Sequence, residues 1–287
     1  MSYEVTGPVA VITLDRPEQG NAMTFELCTQ VFDALERADD DEEVGAVVLT
    51  GAGRNFCVGA DLSEGFHHAG RPSRRFSEFV ERFGAFGDVP RDAGGVITLR
   101  LAAMRTPVIA AINGAAVGGG ASMVLPCDIR LVGGSTRIGF VFGRRGMPTE
   151  SGSSWFLPRV VGITRAAEWV LTGRLVPAEE LYAGGLATRI VPDDALLDEA
   201  LALAGEIARN TSRVATATSR QLLWGMLSAP GPWEAHRHES RAVHEFAAAA
   251  DVAEGVASFL EKRVPDYSMR VPRDYPSYIP AWPDPAQ

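Results

Sequence analysis

The sequence predicts a mixed α/β protein whose core is followed by a helical C-terminal region. Short apolar, strand-like runs alternate with helical segments as far as residue 191, whereas residues 214–263 have a helical pattern throughout. A central run, PVIAAINGAAVGGGASMVLPCD (107–128), passes from an apolar strand through three glycines into a helix. The length of 287 residues and the 46% hydrophobic content suffice for one large domain with an appendage.

The first elements are predicted in the order β-β-α-β. Strand-like residues begin the chain, and Val9–Leu14 alternates as a strand after a Gly7–Pro8 turn. Thr24 is placed to cap a helix with one apolar face, which ends in the acidic run 39–43. The short apolar run 46–50 is typical of a buried parallel strand.

Two tight turns are predicted directly after strands. In the loop GAGRNFCVGAD (51–61), Gly59 and Ala60 form the first turn and Asp61 is placed to cap the next helix. The glycines 118–120 form the second turn. Free N–H groups at the start of a helix suit an anion, or a carbonyl oxygen that is becoming one. The alternative is a glycine-rich crossover that serves only helix–sheet packing.

Residues 64–96 form a long excursion between the two turns. It contains His67 and His68, which we expect on the loop surface, and a helical stretch near residues 76–86. Long connections inside a compact domain are usually lids or pocket walls, so we expect one of these roles here. A helix over 96–104 then leads into the central run.

The remaining segments complete the core and end in helices. They comprise strands at 128–132, 136–140 and 187–191, an irregular loop at 143–155, and helices at 164–172, 178–183 and 194–210. The final segment holds six prolines and is predicted to be extended. The predicted organisation is therefore a core at 1–195, a helical region at 196–263 and a Pro-rich tail at 264–287.

Composition argues against several classes of function. The net charge of −9 leaves no basic footprint for nucleic acid or for an anionic membrane surface. Asn113, the glycines and the flanking prolines make the uncharged central run a buried strand and turn rather than a membrane span. Without secretory or transit features, we expect a cytoplasmic protein. Cys28, Cys57 and Cys127 are predicted to be reduced core residues, and no metal site is predicted.

Two further side chains are candidates for chemistry. Ser122, at the start of the central helix, is either a nucleophile that needs a nearby base or a small packing residue. Glu150 is either a charge at a helix N-terminus or a base whose pKa is raised at the mouth of an apolar pocket. Position in the sequence leaves both choices open. His236, His238 and His244 lack the i, i+4 spacing of a helical metal site and are expected on a solvated helix.

Seven segments, in order along the chain, match one known family. They are LDRPEQGNAM (14–23), AVVLTGAGRNFCVGADL (46–62), PVIAAINGAAVGGG (107–120), CDIRLVG (127–133), LTGRLVPAEE (171–180), GLATRIV (185–191) and EGVASFLEKR (254–263). Together they resemble the enoyl-CoA hydratase/isomerase family, the crotonase superfamily, over roughly residues 5–265. The resemblance implies a crotonase-like spiral of β-β-α turns whose C-terminal helices build homotrimers, sometimes paired into dimers of trimers.

The resemblance also implies a ligand and a site. The family holds the thioester carbonyl of an acyl-CoA with two backbone N–H groups, which match Ala60 and Gly119. On the coenzyme A side, the matching residues are Arg16, Ala22, Asp61, Phe259 and Lys262, the last being the only lysine. Coenzyme A arrives as part of the substrate, and no tightly bound cofactor is implied.

The sequence departs from the family pattern at the residues that activate water. The hydratases carry two glutamates where this chain has Ser122 and Phe142, and the resemblance implies that these two residues contact the substrate. Glu150 lies eight residues after Phe142, where dienoyl-CoA isomerases carry an acidic residue. Because moving a double bond needs only one base, the resemblance favours an enoyl-CoA isomerase that works through Glu150.

Three alternatives remain open on the sequence. The first is an enoyl-CoA hydratase, the name that similarity alone would suggest. The second is a thioester hydrolase that uses Ser122, although no histidine is placed to activate it. The third is a non-catalytic acyl-CoA binding protein, which would keep Ala60, Gly119 and Lys262 but would not depend on Glu150.

Overall fold

The computed structural model describes residues 1–62, 73–279 and 282–283 of the chain. The strands of these residues are β1 (Ser2–Thr6), β2 (Val9–Leu14), β3 (Ala46–Gly51), β4 (Ala85–Phe86), β5 (Val89–Pro90), β6 (Val108–Ile112), β7 (Ala115–Val117), β8 (Ile129–Gly133), β9 (Arg137–Gly139), β10 (Leu175–Pro177) and β11 (Arg189–Val191). The α-helices are α1 (Phe25–Asp40), α2 (Arg74–Phe83), α3 (Ala93–Ala103), α4 (Gly119–Met123), α5 (Ser153–Val161), α6 (Ile163–Thr172), α7 (Ala178–Ala183), α8 (Leu196–Asn210), α9 (Arg213–Gly225), α10 (Pro232–Phe246) and α11 (Ala250–Glu261).

The main sheet has the strand order β1-β2-β3-β6-β8-β11. Its first pair is antiparallel and every later pair is parallel. Strands β3 and β6 are buried along their whole length because helices cover both faces of the sheet. Val48 and Ile109 face α8, whereas Val47 and Ala110 belong to the larger core that includes α1 and α3. The mixed α/β prediction is confirmed.

The central run contains two strands rather than the single predicted strand. Strand β6 lies in the main sheet, and β7 pairs with β9 in a separate three-stranded sheet of order β10-β9-β7. The chain changes sheets at Asn113 and Gly114, where Gly114 has a positive φ of 54°. The three glycines and the following helix α4 then occur as predicted. The local pattern missed this bend because both strands are apolar.

The excursion contains more structure than the predicted single helix. Thr24 caps α1 as predicted, accepting a hydrogen bond from the Leu27 N–H at 3.1 Å. Helix α2 begins after a Ser73 cap and is followed by the β4–β5 hairpin, which the sequence analysis did not predict. His67, His68 and the start of the helix predicted after Asp61 lie outside the described residues.

The predicted continuous helical region is divided into α9, α10 and α11, and it is anchored to the core by one buried arginine. Arg220 on α9 donates to Asp128 Oδ2 at 2.7 Å and to the Leu101 carbonyl at 2.8 Å, at the end of α3. Trp224 Nε1 donates to the second oxygen of Asp128 at 3.0 Å. Helix α9 therefore closes the C-terminal end of α3.

The C-terminal segment folds back onto these helices. Val271 is buried beside Val214 and Ala217. The ring of Trp282 stacks on that of Trp224, with centroids 5.8 Å apart and planes at 8°. The backbone N–H of Trp282 also donates to Gln221 Oε1 at 3.2 Å. The described part of the predicted Pro-rich tail thus packs against the helical region.

Cys28, Cys57 and Cys127 are buried in the core, as the sequence predicted, and none of them forms a disulfide with another described residue. Over the described residues, no helix combines the length and apolar character needed to cross a membrane.

Candidate active site

A cavity of about 430 Å³ lies where both predicted turns, the start of α1 and the excursion meet. The described residues that line it are Met23, Thr24, Phe25, Cys28, Ala60, Asp61, Phe76, Val89, Pro90, Arg91, Asp92, Ala93, Gly94, Gly119, Met147 and Glu150. Most of these side chains are apolar, and the carboxylates come from three separate segments. This is the usual composition of a small-molecule site, an apolar cleft with a few convergent polar groups.

Backbone pairing brings the two turns together. The Cys57 N–H donates to the Ala115 carbonyl at 3.0 Å, and the Val117 N–H donates to the Cys57 carbonyl at 2.9 Å. Gly120 must be glycine at this crossing, because a Cβ atom there would lie 2.3 Å from the Cys57 carbonyl oxygen. Turns that are distant in sequence are therefore adjacent at the pocket.

Ala60 and Gly119 each contribute a free backbone N–H at residues that line the cavity. On either side of Ala60, the Met23 N–H donates to the Gly59 carbonyl at 2.8 Å and the Asp61 N–H donates to the Met23 carbonyl at 2.9 Å. Gly119 is the first residue of α4, where an N–H has no partner within the helix. Neither amide donates a hydrogen bond to any described residue. Two such donors suit an oxygen that develops negative charge.

The carboxylate of Glu150 lies beside Gly119. A Cβ atom added at Gly119 would be 3.6 Å from Glu150 Oε1. The main-chain carbonyl of Glu150, and not its side chain, accepts hydrogen bonds at the start of α5, from the Ser153 N–H at 3.0 Å and hydroxyl at 2.7 Å. Gly152 is the N-cap residue of that helix. Of the two readings of Glu150, the geometry favours a pocket carboxylate over a helix cap.

The surroundings of Glu150 disfavour its charged form. Burial of the carboxylate raises the pKa of Glu150 above its ordinary value, and the negative charge of Asp92 raises it further. No hydrogen bond or ion pair joins the Glu150 carboxylate to another described residue. A glutamate in such an environment accepts and releases a proton closer to neutral pH than a solvated one.

Asp61 differs from Glu150 because it is paired with a cation. Arg16 Nη2 lies 3.0 Å from Asp61 Oδ2, and Arg16 Nη1 donates to the Ala22 carbonyl at 2.5 Å. Arg16, Ala22 and Asp61, which the resemblance assigns to the coenzyme A side, therefore form one connected group at the edge of the pocket.

Ser122 and Phe142 do not line the cavity. Ser122 is fully buried, and its hydroxyl donates to the Gly118 carbonyl at 3.3 Å, one turn earlier. Phe142 is buried beneath the second turn, with a ring carbon 3.9 Å from the position a Cβ atom would take at Gly118. No described histidine is hydrogen-bonded to Ser122, and His236, His238 and His244 are all on α10.

Phe259 and Lys262 lie at the end of α11 and do not line the cavity. The side chain of Phe259 is 82% exposed, and Lys262 ends the helix with a positive φ of 57°. Within one chain the structure therefore does not bring these two residues together with Glu150.

Sequence reasoning missed several residues of the pocket wall. They are Met23, Phe25 and Cys28 around the start of α1, Phe76 on α2, residues 89–94, and Met147. Two signals were available, namely the Thr24 cap, which points the start of α1 at the turns, and the unusual length of the excursion. Which side chains of the excursion face the cavity depends on how the excursion packs against α1. In one such contact, the ring centroids of Phe25 on α1 and Phe76 on α2 are 5.4 Å apart.

The fold and this pocket define an α/β protein with an enzyme-like site for a carbonyl compound. A family model described as enoyl-CoA hydratase/isomerase matches residues 4–270. An enoyl-CoA hydratase of Alternaria alternata is 40% identical over 271 residues, which covers 93% of this chain and 86% of the relative. A crystal structure of the enoyl-CoA hydratase from Bacillus anthracis superposes with a TM-score of 0.80 at 30% identity, covering 93% and 98% of the two chains.

The chain therefore belongs to the enoyl-CoA hydratase/isomerase family, and it has the crotonase fold. The resemblance drawn from the seven sequence segments is confirmed. Membership also establishes that this is an acyl-CoA enzyme of that family, whose members act on acyl-CoA thioesters.

Proposed function

We propose that the protein is an enoyl-CoA isomerase that shifts a double bond with Glu150 as its proton carrier. The observation that carries the proposal is the position of the Glu150 carboxylate, beside the free N–H of Gly119 and in a largely apolar pocket. The positions that hold glutamates in the hydratases are occupied by a buried serine and a buried phenylalanine.

The proposed reaction follows from these groups. The N–H groups of Ala60 and Gly119 donate to the thioester oxygen of the substrate and stabilise the negative charge that develops on it. Glu150 removes a proton from C2 of a 3-enoyl-CoA, and the electron pair delocalises into the thioester as a dienolate. The same carboxyl group returns the proton to C4, which leaves the double bond between C2 and C3. One carboxylate thus suffices.

Binding of the coenzyme A portion is assigned to a second group of residues. Arg16, Ala22 and Asp61 form the connected edge of the pocket nearest the first turn. Phe259 and Lys262 are proposed to contact the adenine and the phosphates. Both side chains are exposed and lie outside the cavity lining of their own chain. We therefore infer that they contact the coenzyme A portion of a substrate bound to a neighbouring subunit.

A second candidate, enoyl-CoA hydratase, is favoured by two observations. The relative from Alternaria alternata carries that name. The pocket also holds Asp92, whose charge reaches Glu150, so a second carboxylate is available to help activate water. The hydrolase alternative is less favoured because the Ser122 hydroxyl is buried, donates to the Gly118 carbonyl and is not part of the cavity lining.

The deciding experiment compares Glu150→Gln with the wild type on a 3-enoyl-CoA and on a 2-enoyl-CoA. Glutamine keeps the shape but cannot accept a proton, so isomerisation should fall by about 10²- to 10⁴-fold while substrate binding changes little. Glu179→Gln, an exposed residue on α7, is the matched control and should keep the wild-type rate. Efficient hydration of the 2-enoyl-CoA that survives Glu150→Gln would contradict the isomerase assignment. A wild-type isomerisation rate that Glu150→Gln leaves unchanged would point to another base, whereas no turnover of either substrate by the wild type would support the non-catalytic alternative.

A further inference from the structure

Ser151, the residue after Glu150, has an unusual backbone conformation. Its φ is 57°, in the left-handed region, and its side chain is 2% exposed. A residue other than glycine is strained in this conformation and persists there only where its surroundings hold it. The contact that holds Ser151 is a hydrogen bond from its hydroxyl to Asp92 Oδ1 at 3.1 Å.

Asp92, the acceptor of this hydrogen bond, lies immediately before the first residue of α3. Its Oδ1 atom also accepts a hydrogen bond from the Gly95 N–H at 2.5 Å, which makes Asp92 the N-cap of the helix. The Ser151–Asp92 bond therefore ties the loop that carries Glu150 to a helix 59 residues earlier in the chain. We refer to this pair of residues as the Ser151–Asp92 clamp.

Two glycines make room for the clamp. A Cβ atom at Gly94 would lie 2.2 Å from Ser151 Oγ, and one at Gly95 would lie 2.4 Å from Asp92 Oδ2. Glycine inside a helix is less favourable than alanine, so adjacent glycines at the start of α3 are unfavourable for the helix itself. Their small size is needed here because any larger side chain would displace the Ser151 hydroxyl or the Asp92 carboxylate.

We propose that Ser151 and Asp92 are positioning residues for Glu150, holding its loop so that the carboxylate faces Gly119 and the reacting carbons. The proposal deepens the assigned role of Glu150 and so rests on the proposed function. Because the clamp fixes this loop against the start of α3, the base stays within reach of C2 and C4. A misplacement of about 1 Å is enough to cost 10²-fold in rate.

The clamp also affects the pH dependence of the base. Besides Glu150, the charged groups among the described residues of this pocket are Arg91 and Asp92, just before α3, and Asp61, which is paired with Arg16. The negative charge of Asp92 adds to burial in raising the pKa of Glu150. Removing that charge while keeping the cap should therefore shift the rising limb of the rate profile to lower pH.

The hydroxyl is tested with Ser151→Ala and Ser151→Gly, each made with Glu150 present and in the Glu150→Gln background. Both variants lose the clamp, and Ser151→Gly also relieves the left-handed backbone strain. We expect kcat to fall about 10- to 10²-fold with little change in KM, even where Ser151→Gly raises the melting temperature. In the Glu150→Gln background the effect on kcat should vanish. An equal effect in both backgrounds would overturn the positioning role.

The carboxylate is tested with Asp92→Asn, because asparagine caps a helix as well as aspartate does. The rising limb should move to lower pH, whereas Asp88→Asn, an exposed residue with the same change of charge, should leave it in place. An unshifted limb in Asp92→Asn would contradict the charge coupling.

The space for the clamp is tested with Gly94→Ala, which should reproduce the loss in kcat of Ser151→Ala. Gly134→Ala is its control, since a Cβ atom there meets nothing within 4 Å. Amide hydrogen exchange at Gly95 gives a readout that does not depend on chemistry, and exchange should quicken in Ser151→Ala. If Glu150→Gln leaves the isomerisation rate unchanged but Ser151→Ala speeds exchange at Gly95, the proposed function fails while the clamp stands. Unchanged exchange at Gly95 would refute the clamp itself.

Discussion

At the scale of single residues, the burial of Glu150 has a cost that depends on pH. A glutamate with a raised pKa in the folded protein is ionised less readily there than in the unfolded chain. Its contribution to stability is therefore fully present below the ordinary glutamate pKa of about 4.3. That contribution is lost as the pH rises through the raised value. The environment that raises the pKa of Glu150 thus opposes folding at neutral pH.

Glu150→Gln should consequently stabilise the protein in a pH-dependent manner. Because glutamine carries no charge to bury, the melting temperature of the variant relative to the wild type should be nearly equal at pH 4 and higher at pH 8. Thermal unfolding across this range measures the difference. A constant difference at every pH would indicate that the carboxylate is solvated in the folded state.

Gly119 offers a second test at the residue scale. Gly119→Pro deletes the backbone N–H at the first position of α4, a position where proline is otherwise tolerated. Loss of one donor to a developing oxyanion should reduce kcat by about 10²- to 10³-fold. Gly119→Ala is the control that keeps the N–H, although its methyl group would lie 3.1 Å from the flexible Met23 side chain. A similar loss in both variants would point to crowding rather than to the missing donor.

At the scale of elements, α2 and the β4–β5 hairpin supply the pocket wall opposite the two turns. Phe76 on α2 packs against Phe25 at the start of α1, and Val89 and Pro90 of the hairpin line the same cavity. These elements belong to the excursion, so on the proposed function variation in this segment should change the space for the acyl chain without altering the proposed oxyanion donors Ala60 and Gly119. We expect it to set substrate preference.

Phe76→Ala should enlarge the cavity and shift preference toward longer or branched acyl chains. The ratio of kcat/KM for a long-chain to that for a short-chain enoyl-CoA should rise about 10-fold, which is within the range that hydrophobic pockets discriminate. Phe86→Ala, a hairpin residue that is 72% exposed and outside the cavity lining, is the control. An unchanged kcat/KM ratio in Phe76→Ala would mean that the acyl chain of the substrate does not pass beside Phe76.

Sequence patterns predicted the individual helices, strands and turns better than the contacts between them. Strand β2, the Thr24 cap and the two glycine turns follow from local signals, namely alternation, a hydroxyl before an amphipathic run, and glycine after a strand. Strand β10 and the β4–β5 hairpin have only two or three residues each and no measurable period.

The clamp escaped sequence reasoning for a different reason. Asp92 and Ser151 are 59 residues apart, and each has an ordinary local interpretation as a cap or a turn residue. Only the packing of α3 against the loop before α5 makes them partners. Glu150 is a candidate from its local position, and the resemblance favours a base over a helix charge, whereas its distance from Gly119 required the fold.

At the scale of the whole molecule, the C-terminal helices expose apolar side chains that a monomer would not keep in water. The exposed residues on α9, α10 and α11 are Leu223, Trp233, Val243, Val252, Val256, Phe259 and Leu260. Exposed apolar surface of this extent usually marks a protein interface. We expect these helices to form the interface of a homotrimer or a dimer of trimers.

Light scattering after size exclusion should give a mass three or six times the 30.7 kDa of the chain. Val256→Asp together with Leu260→Asp should lower that mass by placing charges in the interface. Val5→Asp, on the exposed edge strand β1, is a control that should leave the assembly intact. A monomer at micromolar concentration would contradict the oligomeric expectation. Loss of coenzyme A binding on dissociation would place Phe259 and Lys262 in the neighbouring subunit's site.

Because Trp282 of the C-terminal segment stacks on Trp224, the docking of this segment can be followed by tryptophan fluorescence. Trp155, at the start of α5 close to the Glu150 loop, lies 5.3 Å from Trp282 between ring centroids, so the three indoles lie within energy-transfer distance. Emission from this cluster should report how firmly the segment beyond the family match at residue 270 stays docked. A red shift on ligand addition, absent in Trp282→Phe, would reveal motion near the site in real time without any added label.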